Sequence, residues 1–397
     1  MNVLVCNAGS TSLKFKLFVM PEEKLLAEGK IERVGSKDSA IFHYDNKENG
    51  YSIKLDGQDV STYAKGISQF LGYLTDPEKG VLTDIKEIKK VGFKSVLARN
   101  FYGIHELTQE VMDAMEEFMV VAPTHNRPYI DAINQFKGIL PDAMMVGAFE
   151  TAFHTTIPLE RKLYGVPYEW YEKYGIQRFG YHGASHGYIA DALTEKEGKT
   201  GKAISCHLGG SSSLCAIVDG KSVDTTFGFS LQTGLIHANR TGDNDAYIFP
   251  FLLSEGMTMD EIKKGMYAEG GLFGISGVSN DVRDISIAAE QGNERAQLAI
   301  DMFAYCIVKH IGAYYGIMGG LDHLVFTAGI GENSDIVRRK VCEGLGHLGI
   351  TLDEKKNLDR SVKGDRIISE DGAPVKVWIL PTNEELGVCR KTYYYEK

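Results

Sequence analysis

The first twenty residues carry two runs of patterned apolar positions. Met1-Asn2-Val3-Leu4-Val5-Cys6-Asn7 reads as a strand, and Leu13, Phe15 and Leu17 alternating with Lys14 and Lys16 predict a second, half-buried one. A Gly/Ser turn joins them. The design recurs two hundred positions later in Ser205-Cys206-His207-Leu208-Gly209-Gly210-Ser211-Ser212-Ser213-Leu214, where Cys206, Gly209 and Ser212 match Cys6, Gly9 and Ser12. One inserted residue then brings Leu13 onto Leu214. Leu214-Cys215-Ala216-Ile217-Val218 ends at Asp219-Gly220, a hairpin signal leading into Lys221-Ser222-Val223-Asp224. The repeat predicts two similar domains facing each other.

Further along, Ala143-Met144-Met145-Val146-Gly147-Ala148-Phe149 and His323-Leu324-Val325-Phe326-Thr327-Ala328 are short apolar runs that predict buried strands. After the second, Ile336, Val337, Val341 and Leu345 form a helical stripe, with Ser334 or Asp335 placed to cap it. Strands alternating with helices make the fold class mixed α/β.

Composition narrows the partners. The 397 residues suit two to three domains at roughly 150 residues each. A net charge of −10 argues against non-specific nucleic-acid binding but leaves small anions open. No apolar stretch approaches membrane-spanning length, and the start reads as a strand rather than an export leader. The six cysteines lack CxxC spacing, so reduced buried thiols in a cytoplasmic protein are expected, not a zinc site or disulfides.

Several segments could carry chemistry. Each Gly/Ser turn is either an ordinary hairpin or a nest of backbone N–H groups for phosphate, and neither is a Walker loop. Gly329-Ile330-Gly331-Glu332-Asn333, between strand and helix, suits a ligand lying against a helix N-terminus. His182 and His186 stand four apart without the HExxH glutamate, so His182 reads as a donor to an anion and His186 as a packed or capping residue. Arg240, in Asn239-Arg240-Thr241-Gly242-Asp243, is open to a surface ion pair or an anion site. Glu384-Glu385 is a helix start or a magnesium ligand, and spacing alone favours the helix start.

Taken together, the segments resemble the acetokinase (acetate kinase) family of the duplicated actin, Hsp70 and sugar-kinase superfamily. The matching motifs are Asn7-Ala8-Gly9-Ser10-Thr11-Ser12, Glu150-Thr151-Ala152-Phe153-His154, Gly180-Tyr181-His182-Gly183-Ala184-Ser185-His186, Thr225-Thr226-Phe227-Gly228-Phe229, the Arg240 segment, Thr327 through Ser334, and Pro381 through Leu386. They occur in family order along the whole chain. The resemblance implies two ribonuclease-H-like domains, residues 1–149 plus 383–397 and residues 150–382, with the active site in the cleft between them. It implies ATP as co-substrate, Mg²⁺ held by Asn7 and Glu384, and a homodimer. His207, Leu208, Gly209, Gly210 and Ser211, then Asp281, Val282 and Arg283, and Gly329, Ile330, Gly331, Glu332 and Asn333 would bind ATP, with Lys14 near its phosphates. Glu150, His182, Arg240 and Lys94 would be catalytic. Lys94, Val96, His125, Tyr181 and Leu231 would meet the carboxylate substrate.

The chain departs from that family at the acyl side. The family reads Gly-His-Arg-Val-Val-His-Gly-Gly where this chain has Gly92-Phe93-Lys94-Ser95-Val96-Leu97-Ala98-Arg99, so Lys94 replaces an arginine. Lysine keeps the charge and loses the planar fork. Glu150 replaces an aspartate, and Thr124, Tyr181 and Leu231 replace Leu, Phe and Pro. Acetate is the first expectation. Propionate or butyrate, a hydroxyl acceptor with Glu150 as base, and a non-catalytic nucleotide-binding protein are the alternatives, with Arg99 either a substitute cation or a surface residue.

Overall fold

Alternation along the first residues becomes a hairpin: β1 (Asn2–Gly9) and β2 (Ser12–Val19) pair antiparallel, with Cys6 opposite Phe15 and Asn7 opposite Lys14. The structure is a computed structural model that describes residues 1–121 and 123–396, and the side chains of all of these except 123–125. Phe15 turns inward and stacks on Phe70 of helix Tyr63–Leu74, ring centroids 4.4 Å apart. Lys14, on the other face, stays exposed. The sheet continues through β3 (Lys24–Glu32), β4 (Ser36–Asn46), β5 (Ser52–Val60), β6 (Ile88–Phe93), β7 (Ile104–Glu106) and β8 (Met144–Ala148). Its order is β5-β4-β3-β2-β1-β6-β8-β7, with β1, β6 and β8 parallel to one another.

The second sheet contains β9 (Lys202–His207), β10 (Ser213–Val218), β11 (Lys221–Thr225), β12 (His323–Thr327), β13 (Arg366–Ile367) and β14 (Lys376–Ile379), in the order β11-β10-β9-β12-β14-β13. Here β9, β12 and β14 run parallel. Three meandering strands followed by two parallel ones repeat the plan β3-β2-β1-β6-β8, and Cys206 faces Leu214 just as Cys6 faces Phe15. Asp219 and Gly220 both have positive φ, 47° and 79°, the backbone of a two-residue hairpin turn. All five residues of β12 are buried, as a parallel strand covered on both faces requires. Helix Glu294–Met318 supplies Phe303, Ile307 and Ile311 to the core on that sheet.

The chain divides into two compact units, Met1–Ala152 with Asn383–Lys397 and Phe153–Thr382. Helix Glu384–Tyr394 returns to the first unit, capped by Asn383, whose side chain accepts from the Leu386 N–H at 3.2 Å. Near its end Thr392 is buried and its hydroxyl donates to Val388 O. Gly92 of β6 lies directly against this helix: a Cβ there would stand 2.2 Å from Thr392 Oγ1. Among the described residues no helix is long and apolar enough to cross a membrane, and the six cysteines form no disulfide.

Candidate active site

In the first unit, the carboxyl ends of three adjacent parallel strands converge, the place where open α/β sheets put their ligands. Asn7 lies near the end of β1, Lys94 follows β6, and Glu150 follows β8. The Glu150 N–H donates to Ser95 O at 2.8 Å, and buried Asn126 donates from Nδ2 to Leu97 O and Met115 O. Those bonds fix the segment carrying Lys94 and the buried Val96. Lys94 Nζ lies 2.8 Å from Glu150 Oε1 and 2.6 Å from Glu384 Oε2. One ammonium therefore serves two carboxylates, and Glu150 Oε2 is buried with no hydrogen-bond partner among the described residues.

Asn7 Oδ1 accepts from the Tyr129 hydroxyl at 2.8 Å, and burial holds that phenol well above its usual pKa. An amide oxygen and a carboxylate, beside surplus negative charge, suit magnesium, which takes one or two protein oxygens and fills its octahedron with water and phosphate. Among the described residues no group of three or more His, Cys, Asp and Glu side chains could hold a metal alone. Lys14 faces Asn7 across the hairpin. Arg99 pairs with Glu117 at 3.3 Å in an exposed ion pair. His125 and Thr124 lie outside the residues whose side chains are described.

In the second unit, His182 precedes helix Gly183–Glu197 with φ 57° and ψ 25°. A left-handed non-glycine residue costs on the order of 1–3 kcal/mol, and such strain persists where surrounding contacts over-determine it. Here the imidazole stacks on His207 at 4.0 Å between centroids and its Nδ1 is 2.8 Å from Ser213 Oγ. The turn after His207 is tied to the strand beside it. Leu208 N–H donates to Thr327 O, and Leu208 O accepts from Ile330 and Gly331 N–H. The residues 207–211 and 329–333 thus lie side by side, and Asn333 closes its own turn through Nδ2 to Gly329 O. Burial raises the pKa of Glu332.

Arg240 reaches the same turn. Its Nη2 donates to Ser211 Oγ at 2.5 Å, while Ala238 N–H donates to Gly210 O. Burial draws the guanidinium down to about 10, so it remains a cation at neutral pH. Gly271, at φ 63°, holds the loop close, since a Cβ there would stand 2.3 Å from His237 O and 2.8 Å from Arg240 O. Asn280 Nδ2 donates to Asn239 Oδ1, which brings Asp281 alongside. Asp281 caps helix Val282–Glu290, and Arg283 forks onto its carboxylate, holding it below the usual range; Val282 is buried. Tyr181 is buried with its hydroxyl donated to Phe229 O, and Leu231 is half-buried nearby in sequence.

Tertiary structure adds residues that no motif announced: Tyr129 on Asn7, Asn126 on Leu97 O, and His237, whose Nδ1 accepts from Ser212 N–H at 3.1 Å. Ser205 and Ser213, read in the sequence only as members of the repeat, stand on either side of His186. Their partners are distant in sequence, so spacing carried no signal. A half-buried guanidinium, a turn offering backbone N–H groups and an imidazole are together equipped to hold a phosphoryl group.

A sequence model described as the Acetokinase family matches residues 2–390. The acetate kinase of Clostridium novyi is 43% identical over 99% of this chain and 98% of its own length, and that of Coprothermobacter proteolyticus is 43% identical over the same shares. Among solved structures, Porphyromonas gingivalis acetate kinase superposes with a TM-score of 0.87 at 35% identity, covering 99% of this chain and 98% of its own. A Francisella tularensis propionate kinase superposes with a TM-score of 0.89 at 29% identity over the full length of both. With its duplicated sheets and a match running nearly from end to end, the chain belongs to the acetokinase family.

Proposed function

We propose that this chain is a carboxylate kinase that moves a phosphoryl group reversibly between ATP and acetate, giving acetyl phosphate and ADP. A short carboxylic acid, with a pKa near about 4.3 like a glutamate side chain, is already ionised at neutral pH. Its oxygen attacks the γ-phosphorus, the bond to the ADP oxygen breaks, and the electron pair leaves with ADP. No proton has to move. The difficulty is charge: two unit charges about 4 Å apart repel by roughly 4 kcal/mol at an effective dielectric near 20. Preorganised positive and N–H groups therefore dominate the catalysis.

Arg240 and His182 act on the transferring group, and residues 207–211, 281–283 and 329–333 with Lys14 hold the nucleotide. Lys94 and Glu150 act at the carboxylate side, beside Val96, His125, Tyr181 and Leu231. Magnesium, when bound, would neutralise phosphate charge, and Asn7 and Glu384 are the residues that would hold it. Residues 1–149 with 383–397, and 150–382, are the two ribonuclease-H-like domains of an enzyme that works in the cytoplasm as a homodimer. The observation that carries the reading is the half-buried, charged Arg240 bonded to Ser211 of a Gly/Ser turn.

The test supplies acetate, propionate and butyrate with MgATP and traps products with hydroxylamine. Acetyl hydroxamate is expected, and no hydroxamate from any acid overturns the proposal. Tyr181 and Leu231, together with the likeness to a propionate kinase, favour propionate as the second substrate.

A further inference from the structure

A chain of four side chains runs from the core of the second unit to His182. Ser205 Oγ is 2.9 Å from His186 Nδ1, His186 Nε2 is 2.9 Å from Ser213 Oγ, and Ser213 Oγ is 2.8 Å from His182 Nδ1. Ser205, His186 and Ser213 are fully buried. We propose that this chain is a tautomer lock, in which Ser205, His186 and Ser213 act as positioning residues that keep His182 neutral, with its proton on Nε2.

The direction follows from counting protons. His186 is enclosed and neutral, so exactly one of its nitrogens carries hydrogen; burial holds its pKa far below the ordinary histidine value. Two polarities of the chain are self-consistent, and the buried end chooses between them. Among the described residues, His186 is the one hydrogen-bond partner of the Ser205 hydroxyl. If His186 donated from Nδ1, the Ser205 proton would be buried without an acceptor, at a cost of about 1–3 kcal/mol. If Ser205 donates instead, it leaves only a spare lone pair, which costs less. His186 then carries its hydrogen on Nε2 and donates to Ser213. The single proton of Ser213 is directed at His182 Nδ1, which must accept. His182 is left with Nε2–H as its donor and cannot add a proton at Nδ1 without reversing every bond in the chain.

A second consequence concerns the reaction and rests on the role proposed above for His182. The group offered to the phosphoryl oxygens is a neutral, pre-aimed N–H, so the positive charge at that site comes from Arg240. A bare Nε2 would instead present a lone pair to an anion and repel it.

Nuclear magnetic resonance of the full chain labelled with ¹⁵N-histidine reads the tautomer directly, with His182→Gln used to assign the signals. At neutral pH and without substrate, His182 is expected to show a pyridine-like Nδ1 and a pyrrole-like Nε2. A proton on Nδ1, or on both nitrogens, overturns the proposal. Ser213→Ala removes the hydroxyl that donates to His182 Nδ1 and is expected to mix the two His182 tautomers and lower kcat by up to about tenfold, the factor that roughly 1.4 kcal/mol represents, with KM for ATP within about twofold. Ser213→Thr should retain the wild-type tautomer, and so should Ser205→Ala, because a bare Nδ1 lone pair on His186 costs less than a bare N–H. An unchanged His182 tautomer in Ser213→Ala refutes the lock whatever happens to the rate. The hydroxamate assay separately decides whether the chain is a kinase, so the two readings fail independently.

Discussion

Lys94 sits between two carboxylates with side-chain exposures of 6% for Glu150 and 15% for Glu384, and is itself 17% exposed. Removing one partner of a buried ionic cluster typically costs about 3–5 kcal/mol, because the charge left behind has lost its water. Lys94→Met preserves the length of the side chain and deletes the ammonium. It should lower unfolding stability in EDTA by about 3 kcal/mol, the low end because Lys94 retains some solvent. Urea titration measures this, and added Mg²⁺ should recover part of the loss if these carboxylates border the metal position. Turnover should fall on the order of 10²-fold, with KM for ATP nearly unchanged. Equal losses in both would refute an acyl-side role. The sequence exposed Lys94 as a departure from its family, but its bridging of Glu150 and Glu384 was invisible, since the three come from separate ends of the chain.

Among the elements, helix Glu384–Tyr394 carries a proposed metal ligand in its first turn, and its seat on β6 depends on Gly92. Gly92→Ala would drive a methyl group into Thr392, and overpacking of this kind costs typically about 1–3 kcal/mol. Thermal unfolding should register that loss, and phosphoryl transfer should fall with it as Glu384 shifts. Full activity in a destabilised Gly92→Ala variant would detach the helix position from catalysis. Helix Ile248–Ser254 poses a different problem: its sequence, IFPFLLS, is almost wholly apolar, yet none of its residues is buried. The homodimer proposed above would have a use for such a face. Phe251, 60% exposed, is the residue to change. Phe251→Asp should turn a dimer into a monomer in light scattering, and an unchanged mass would place the dimer contact elsewhere. The strand pairs β1–β2 and β9–β10 were legible because alternation and a Gly/Ser turn are local signals. Strands β3 to β5 were not singled out: β5 is largely exposed, and its pairing with β4 has register shifts that blur any regular pattern.

For the molecule as a whole, the duplicated plan was readable from three matched positions, whereas the chemistry of the second copy depends on histidines whose burial no sequence displays. His186, His237, His310 and His323 are all held below the ordinary histidine pKa by burial, and all lie in the second unit. His237 is drawn down to about 3, by burial first and then by the charge of Arg240. The sign of the linkage follows. Below about pH 6.5 the unfolded chain takes up protons that these folded imidazoles refuse, so stability is full above that pH and declines as acid is added. For His237 the decline continues toward pH 3. Each such group contributes a slope of up to about 1.4 kcal/mol per pH unit, and His186 and His237, both almost fully enclosed, should act together. Acid should therefore loosen the second unit before the first. Hydrogen exchange followed by mass spectrometry, compared at pH 7.5 and 5.5 after correction for intrinsic rates, should show protection falling more in β9 and β12 than in β1 and β6. Equal losses in the two sheets would mean that protonation of these histidines does not govern acid stability.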